Sequence, residues 1–162
     1  MEAYDYVLTP LCFTAEEPGS TVKLTKVGSA PDVNLQTSTD GISWTPYNVE
    51  DVITLANAED KVYFKAVGSN ERICSDSSAY NKFEMTGKIA ASGNVNSLLE
   101  EVEETARTMS LGGKDYCYTY MFANCTFLTK APDLPAKELA NYCYSNMFEG
   151  CTALTSVHTL PA

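Results

Sequence analysis

Residues 115–136 read DYCYTYMFANCTFLTKAPDLPA, and residues 141–162 read NYCYSNMFEGCTALTSVHTLPA. Twelve of the twenty-two aligned positions are identical at a constant offset of 26, placing Cys117 over Cys143, Phe122 over Phe148, Cys125 over Cys151, Leu128 over Leu154 and Pro135 over Pro161. A fixed period of this size marks coils, each of which buries its apolar face only by stacking on a neighbour. Within a coil, the spacing of Cys143, Met147 and Phe148 predicts a helix over 140–148, and 154–157 reads as a short strand. The Leu-Pro-Ala at 160–162 turns the corner.

Equivalent positions of stacked coils form ladders. Cys117/Cys143 and Cys125/Cys151 read as buried free thiols acting as small hydrophobes, with disulfides as the alternative. The other two cysteines are Cys12 and Cys74; no pair has C-x-x-C spacing, so neither a redox pair nor a zinc ribbon is indicated. Tyr116, Tyr118, Tyr120, Tyr142 and Tyr144 form a second ladder. Half of it is expected to pack in the core, and the other half to present rings for stacking on a sugar or a partner surface. The partner-binding candidates are Tyr118, Tyr120 and Tyr144, joined by His158, which replaces Pro132 of the previous coil.

Ahead of the repeats, Gly87, Ala90-Ala91-Ser92 and Gly93 read as a hinge-like link. A helix is expected over 97–104, where Ser97 and Glu100 fit a capping box and Gly112-Gly113 ends the element. Before that, short apolar runs alternate with turn signals. Residues 7–13, 22–27, 35–37, 42–44, 52–55, 61–67 and 82–85 give about seven strands at regular spacing, with a hairpin at Asp40-Gly41. This is the pattern of a small antiparallel β-sandwich resembling immunoglobulin-like or fibronectin type III domains. Trp44, sharing a face with Ile42, reads as its core anchor.

The expected class is therefore α+β, with three segments. Residues 1–86 form the sandwich, 87–114 a linker with a helix, and 115–162 two coils of a leucine-rich-repeat-like solenoid. The stretch CYSNMFEGCTALT followed by LPA resembles the BspA-like leucine-rich repeat family, in a 26-residue variant with Met-Phe and a second Cys. FTAEEPGSTVKLTKVG through FEMTGKIAASGN resembles the β-domain that precedes such repeats in proteins of gut Bacteroidales and their phages. That resemblance implies surface attachment and protein or host-matrix contact, and carries over no catalytic residue. This chain departs from the pattern in showing only two clear repeats and a longer, more acidic link.

Composition sets the remaining bounds. Eleven basic against twenty-one acidic residues give a net charge of −10, which disfavours nucleic acid and anionic membranes and steers neutral or basic partners. No apolar run reaches the roughly 18 residues of a membrane span, and the acidic N-terminus does not read as a leader. A single histidine and the absence of G-x-S-x-G, P-loop or H-E-x-x-H motifs point away from an enzyme. Asp40, Asp51 and Asp60 lack EF-hand spacing, so no metal or other cofactor is expected. The expected function is a non-enzymatic adhesion or interaction module at a cell surface, binding a protein or glycan. The alternative is a phage virion component contacting other virion subunits or a receptor. The repeat stops at the same point where 134–136 leads into another coil, so either further repeats or self-association through the open end is expected.

Overall fold

The structure, a computed structural model, describes residues 9–155. It is predominantly β. Alternation builds the longest strands: β2 (Ser20–Val27) buries Ser20, Val22 and Leu24, and β8 (Ala79–Thr86) buries Ala79, Asn81 and Phe83. They pair antiparallel from Thr21 against Thr86 to Val27 against Tyr80. With β5 (Ile53–Leu55) and β7 (Cys74–Asp76) they form a four-stranded sheet in the order β5-β2-β8-β7.

The second sheet runs β10-β9-β1-β6-β3-β4. Its strands are β1 (Leu11–Ala15), β3 (Leu35–Ser38), β4 (Thr45–Tyr47), β6 (Lys61–Ala66), β9 (Ile89–Ser92) and β10 (Leu128–Lys130). Strands β1, β6, β3 and β4 are antiparallel neighbours, and β10 joins β9 in parallel. The residues read as a hinge-like link are thus a strand inside the sheet. Strand β9 lies between β1 and β10, with Ile89 and Ala91 buried. Gly93 ends it at φ +74°, packed so closely on the carbonyl of Pro10 that a Cβ has no room.

Rings join the two sheets. Phe13 and Phe64 meet Phe83 at centroid distances of 4.9 and 5.3 Å, edge-on, and Tyr47 meets Phe64 at 5.2 Å. Tyr47, not Trp44, fills the core from the β3–β4 hairpin. Its hydroxyl donates to the Asp51 carbonyl and accepts the Leu24 N–H. Ile42 is 83% exposed, and half-buried Trp44 lies under the Lys65 ammonium at 4.2 Å. The hairpin loop is longer than a two-residue turn: Asp40 accepts the N–H groups of Ile42 and Ser43, which lower its carboxyl pKa to about 2.

The expected α+β class with a helix and a leucine-rich-repeat solenoid is not what forms. The only α-helix among the described residues is α1 (Glu103–Thr108), six residues long. In place of the capping box at Ser97, Asn94 caps a 3₁₀ turn over Val95–Leu98, its side chain accepting the Asn96 N–H. Ser97 is recruited elsewhere, accepting the Leu11 N–H and donating to the Phe64 carbonyl. Residues 140–148 are a run of turns rather than a helix. One strand, β10, comes from the first repeat; the matching 154–157 passes beyond the described residues.

The two repeats nevertheless lie one on the other. One hydrophobic cluster runs from Leu11 through Phe83 and Leu128 to Met147, so the core does not stop at residue 86 or 114. Fully burying a ring such as Phe122 contributes about 1.5–3 kcal/mol, so this continuity weighs heavily in folding.

Candidate functional site

Each repeat is a coil of i→i−3 turns, in which Thr119 donates to Tyr116, Met121 to Tyr118 and Ala123 to Tyr120, and Ser145 likewise to Tyr142 and Met147 to Tyr144. The turns cannot run on into a helix because every fourth residue is left-handed: Tyr116, Tyr120 and Asn124 at φ 57–63°, then Tyr142, Asn146 and Gly150 at 57°, 54° and 74°. A tyrosine in this region costs roughly 1–3 kcal/mol, which the stacking between coils must offset. The left-handed corners turn the side chains at 116 and 142 outward, whereas those at 118 and 122 face the core.

The result is a set of parallel ring columns. Tyr116 stacks on Tyr142 at 4.9 Å and 14°, Tyr118 on Tyr144 at 6.0 Å and 7°, and Phe122 on Phe148 at 5.5 Å and 6°. The column beneath Phe122 continues into β8, where Phe83 lies 5.5 Å away, and Tyr120 stacks on Tyr80 at 5.0 Å.

The four candidate residues fare differently. Tyr118 is fully buried, its hydroxyl donating to Asn96 Oδ1 at 2.7 Å, so it is a core residue and offers no surface to a partner. Tyr120 is half-buried with one face on Tyr80. Tyr144 is half-buried at the outer end of its column, with its phenol raised in pKa by burial. His158 lies outside the described residues. The most accessible ring of the ladder is Tyr142, 62% exposed, with Leu139 beside it in sequence also exposed. The residue order alone did not single it out, because the parity of a tyrosine ladder does not reveal which rung is left-handed.

The thiols belong to the packing. All six are free; Cys125 and Cys151 donate to the carbonyls of Phe83 and Phe122, and Cys74 donates to that of Asn81. Burial pushes Cys117 up to about 11 and Cys125 to about 12, which keeps both protonated and unreactive at neutral pH. Among the described residues no cluster of His, Cys, Asp or Glu is placed to hold a metal ion, and no helix is long and apolar enough to cross a membrane. An open cleft of about 470 Å³ lies between β2, β8 and the first repeat, lined by Lys23, Lys82, Glu84 and Asn124 among others, with Lys23 bridged to Glu84 at 3.3 Å. No family model matches the chain, and no curated protein or solved structure matches it.

Proposed function

We propose that this chain is a non-enzymatic interaction module, acting at a cell surface or on a virion, that contacts a protein or glycan partner through the outer face of its second repeat. The observation that carries this reading is the Tyr142 ring, exposed yet held flat by Tyr116 beneath it at 4.9 Å. A ring fixed by a stack loses little freedom on binding, which is why aromatic anchors dominate contact surfaces. The net charge of −10 favours a neutral or basic partner and speeds its approach at low salt.

The test is a binding screen of the full chain against host-matrix proteins and glycans, repeated with Tyr142→Ala and Tyr142→Phe. For any hit, the alanine variant is expected to bind at least about tenfold more weakly, or roughly 1.4 kcal/mol, with the phenylalanine variant close to the parent. Hits that bind the alanine variant as tightly as the parent, with its fold intact by circular dichroism, overturn the reading.

A further inference from the structure

The first repeat does not meet the sheet beneath it along its whole length. Cys74 donates its N–H to the Cys117 carbonyl and Phe83 to that of Met121, at 2.9 and 2.7 Å, but past Phe83 no such bond follows among the described residues. In the ladder between β2 and β8, Phe83 lies opposite Leu24 with its N–H turned away from β2. Bonded and non-bonded pairs alternate along an antiparallel ladder, so Met85, opposite Val22, also turns its N–H and C=O away from β2. The repeats fix the other side of the gap. Glu149, 26 residues after Ala123, points its carbonyl at the coil beneath, where it accepts the Asn124 N–H. The Met147 carbonyl does the same for Phe122, and that of its counterpart Met121 takes the Phe83 N–H. By the same equivalence, Ala123 directs its carbonyl toward β8. The Met85 N–H, the Met85 carbonyl and the Ala123 carbonyl all lack a protein partner among the described residues.

Met85 and Ala123 both line the cleft of about 470 Å³ described above, a volume within the roughly 300–1,000 Å³ of small-molecule sites. A trans amide carries its C=O and N–H on opposite sides, so one amide can accept from Met85 and donate to Ala123. The Met85 carbonyl is then left for a neighbouring hydroxyl. An extended peptide would need its next donor at residue 87, where Gly87 leaves the strand at φ +77° against Ser20. The rest of the lining is polar and mixed in charge. Lys23 is held between Glu84 at 3.3 Å and Glu50 at 3.7 Å, Thr21 and Thr86 share a hydrogen bond of 2.6 Å, and Lys82 makes no ion pair among the described residues. Exposed Val52 adds an apolar contact. Alternating donors and acceptors beside one amide-sized gap match a ring that carries hydroxyls next to an acetamido group. We infer that this cleft binds an N-acetylated hexosamine, its acetamido group spanning Met85 and Ala123 and its hydroxyls meeting Lys82, Glu84 and Thr86. The sugar is uncharged, so the net charge of −10 does not oppose it. None of the lining residues belongs to the second repeat, and the site does not depend on Tyr142.

The experiment follows the amide resonances of the full chain, under reducing conditions, during titration with N-acetylglucosamine, glucosamine, glucose and N-acetylglycine methylamide. N-acetylglucosamine is expected to shift Met85, Thr86 and Asn124 and to slow exchange of the Met85 N–H, with the other three compounds binding at least about tenfold more weakly. Lys82→Ala and Glu84→Ala, both on the outer face of β8, should each weaken the sugar by about threefold or more. Met85→Pro removes an N–H that the ladder does not use and should abolish binding. Tyr142→Ala should change nothing. If the proline variant unfolds, the Lys82 and Glu84 variants decide, and unchanged affinity in both overturns the inference. No response to N-acetylglucosamine, equal binding of glucose, equal binding of the methylamide, or shifts confined to 139–150 would each overturn it as well. Failure of the sugar leaves the reading of Tyr142 standing, and loss of every Tyr142-dependent hit leaves this site standing.

Discussion

Replacing Phe122 with alanine tests whether the repeats and the sheets fold as one unit. The ring is fully buried and touches Phe83 and Phe148 at 5.5 Å and Phe13 at 6.1 Å, so it joins both sheets to both repeats. Removing such a ring loses its transfer free energy and leaves a cavity that rigid neighbours on three sides cannot close, about 3–5 kcal/mol together. Phe148→Ala is the internal control. That ring is half-buried and stacks on Phe122 alone, so about 1–2 kcal/mol is expected from partial burial and one ring pair. Against a total stability of roughly 5–15 kcal/mol, the first loss is large and the second modest. Urea unfolding followed by Trp44 emission reads the answer away from the repeats, since Trp44 stands in the β3–β4 hairpin under Lys65, and β4 is the edge of the sheet opposite β10. The Trp44 and circular dichroism midpoints should move down together for Phe122→Ala, and by less than half as much for Phe148→Ala. A Trp44 midpoint unmoved by Phe122→Ala would refute the reasoning, because the continuous core would then not be one cooperative unit.

Further consequences follow from single contacts. Tyr118→Phe removes the donor to Asn96 Oδ1 in a fully buried setting, and a loss of about 1–3 kcal/mol in urea unfolding is expected; no change would mean that water satisfies Asn96. Gly93→Ala drives a Cβ into the Pro10 carbonyl at a positive φ and should cost more than about 3 kcal/mol or abolish folding, whereas Gly113→Ala, also at positive φ but with open space around it, should cost about 1–2 kcal/mol; equal effects would remove the steric argument. Thiol ionisation gives a pH dependence of definite sign. Cys117 and Cys125 are raised from 9.0 in the free thiol to about 11 and about 12 by burial, so the folded state holds protons that the unfolded chain releases. Their contribution is full below the unfolded value and is lost as pH rises through the folded values, with Tyr118 and Tyr144 pushing the same way. The urea midpoint should fall between about pH 9 and pH 11, less steeply in Cys117→Ala with Cys125→Ala; a flat profile would contradict the burial of these thiols.

Part of the architecture was legible for simple reasons. An offset of 26 with identical Cys, Met, Phe and Leu positions leaves little choice but stacking, and Phe122 does lie on Phe148. Alternation marked β2 and β6, the run at 82–85 marked part of β8, and Asp40-Gly41 marked the β3–β4 hairpin. The helix over 140–148 failed because a coil with a left-handed residue every fourth position also brings i and i+4 to one side. Side-chain period cannot separate the two, and the φ values that do are carried by Tyr116, Tyr120, Tyr142 and Asn146, not by glycine. Strand β9 was missed because its alanines, flanked by Gly87 and Gly93, read as a linker. Ser97 shows a third kind of failure: its capping pattern was present, but Leu11 and Phe64, distant in sequence, claimed the hydroxyl. At the candidate site, the ladder was visible while the choice of rung was not, since Tyr118 and Tyr142 differ in backbone conformation and not in residue type.

The β7–β8 hairpin gives the stack its direction. Cys74 donates its N–H to Cys117, Tyr80 stacks on Tyr120, and Phe83 stands under Phe122 as Phe122 stands under Phe148. The thiols repeat the relation: Cys125 donates to the Phe83 carbonyl and Cys151 to that of Phe122. The hairpin therefore occupies the place of a coil beneath the first repeat, although its residues share no repeat sequence. Isolated coils of this size cannot bury their apolar faces, and a preformed sheet edge removes that difficulty for the first one. It also fixes the hydrogen-bond polarity, because the first coil's carbonyls turn toward the hairpin and its N–H groups toward the second repeat. That polarity passes unchanged to the second repeat, so its exposed edge can only donate. The placement of the second repeat is thus set by a sheet two layers below it, through residues that share none of its sequence.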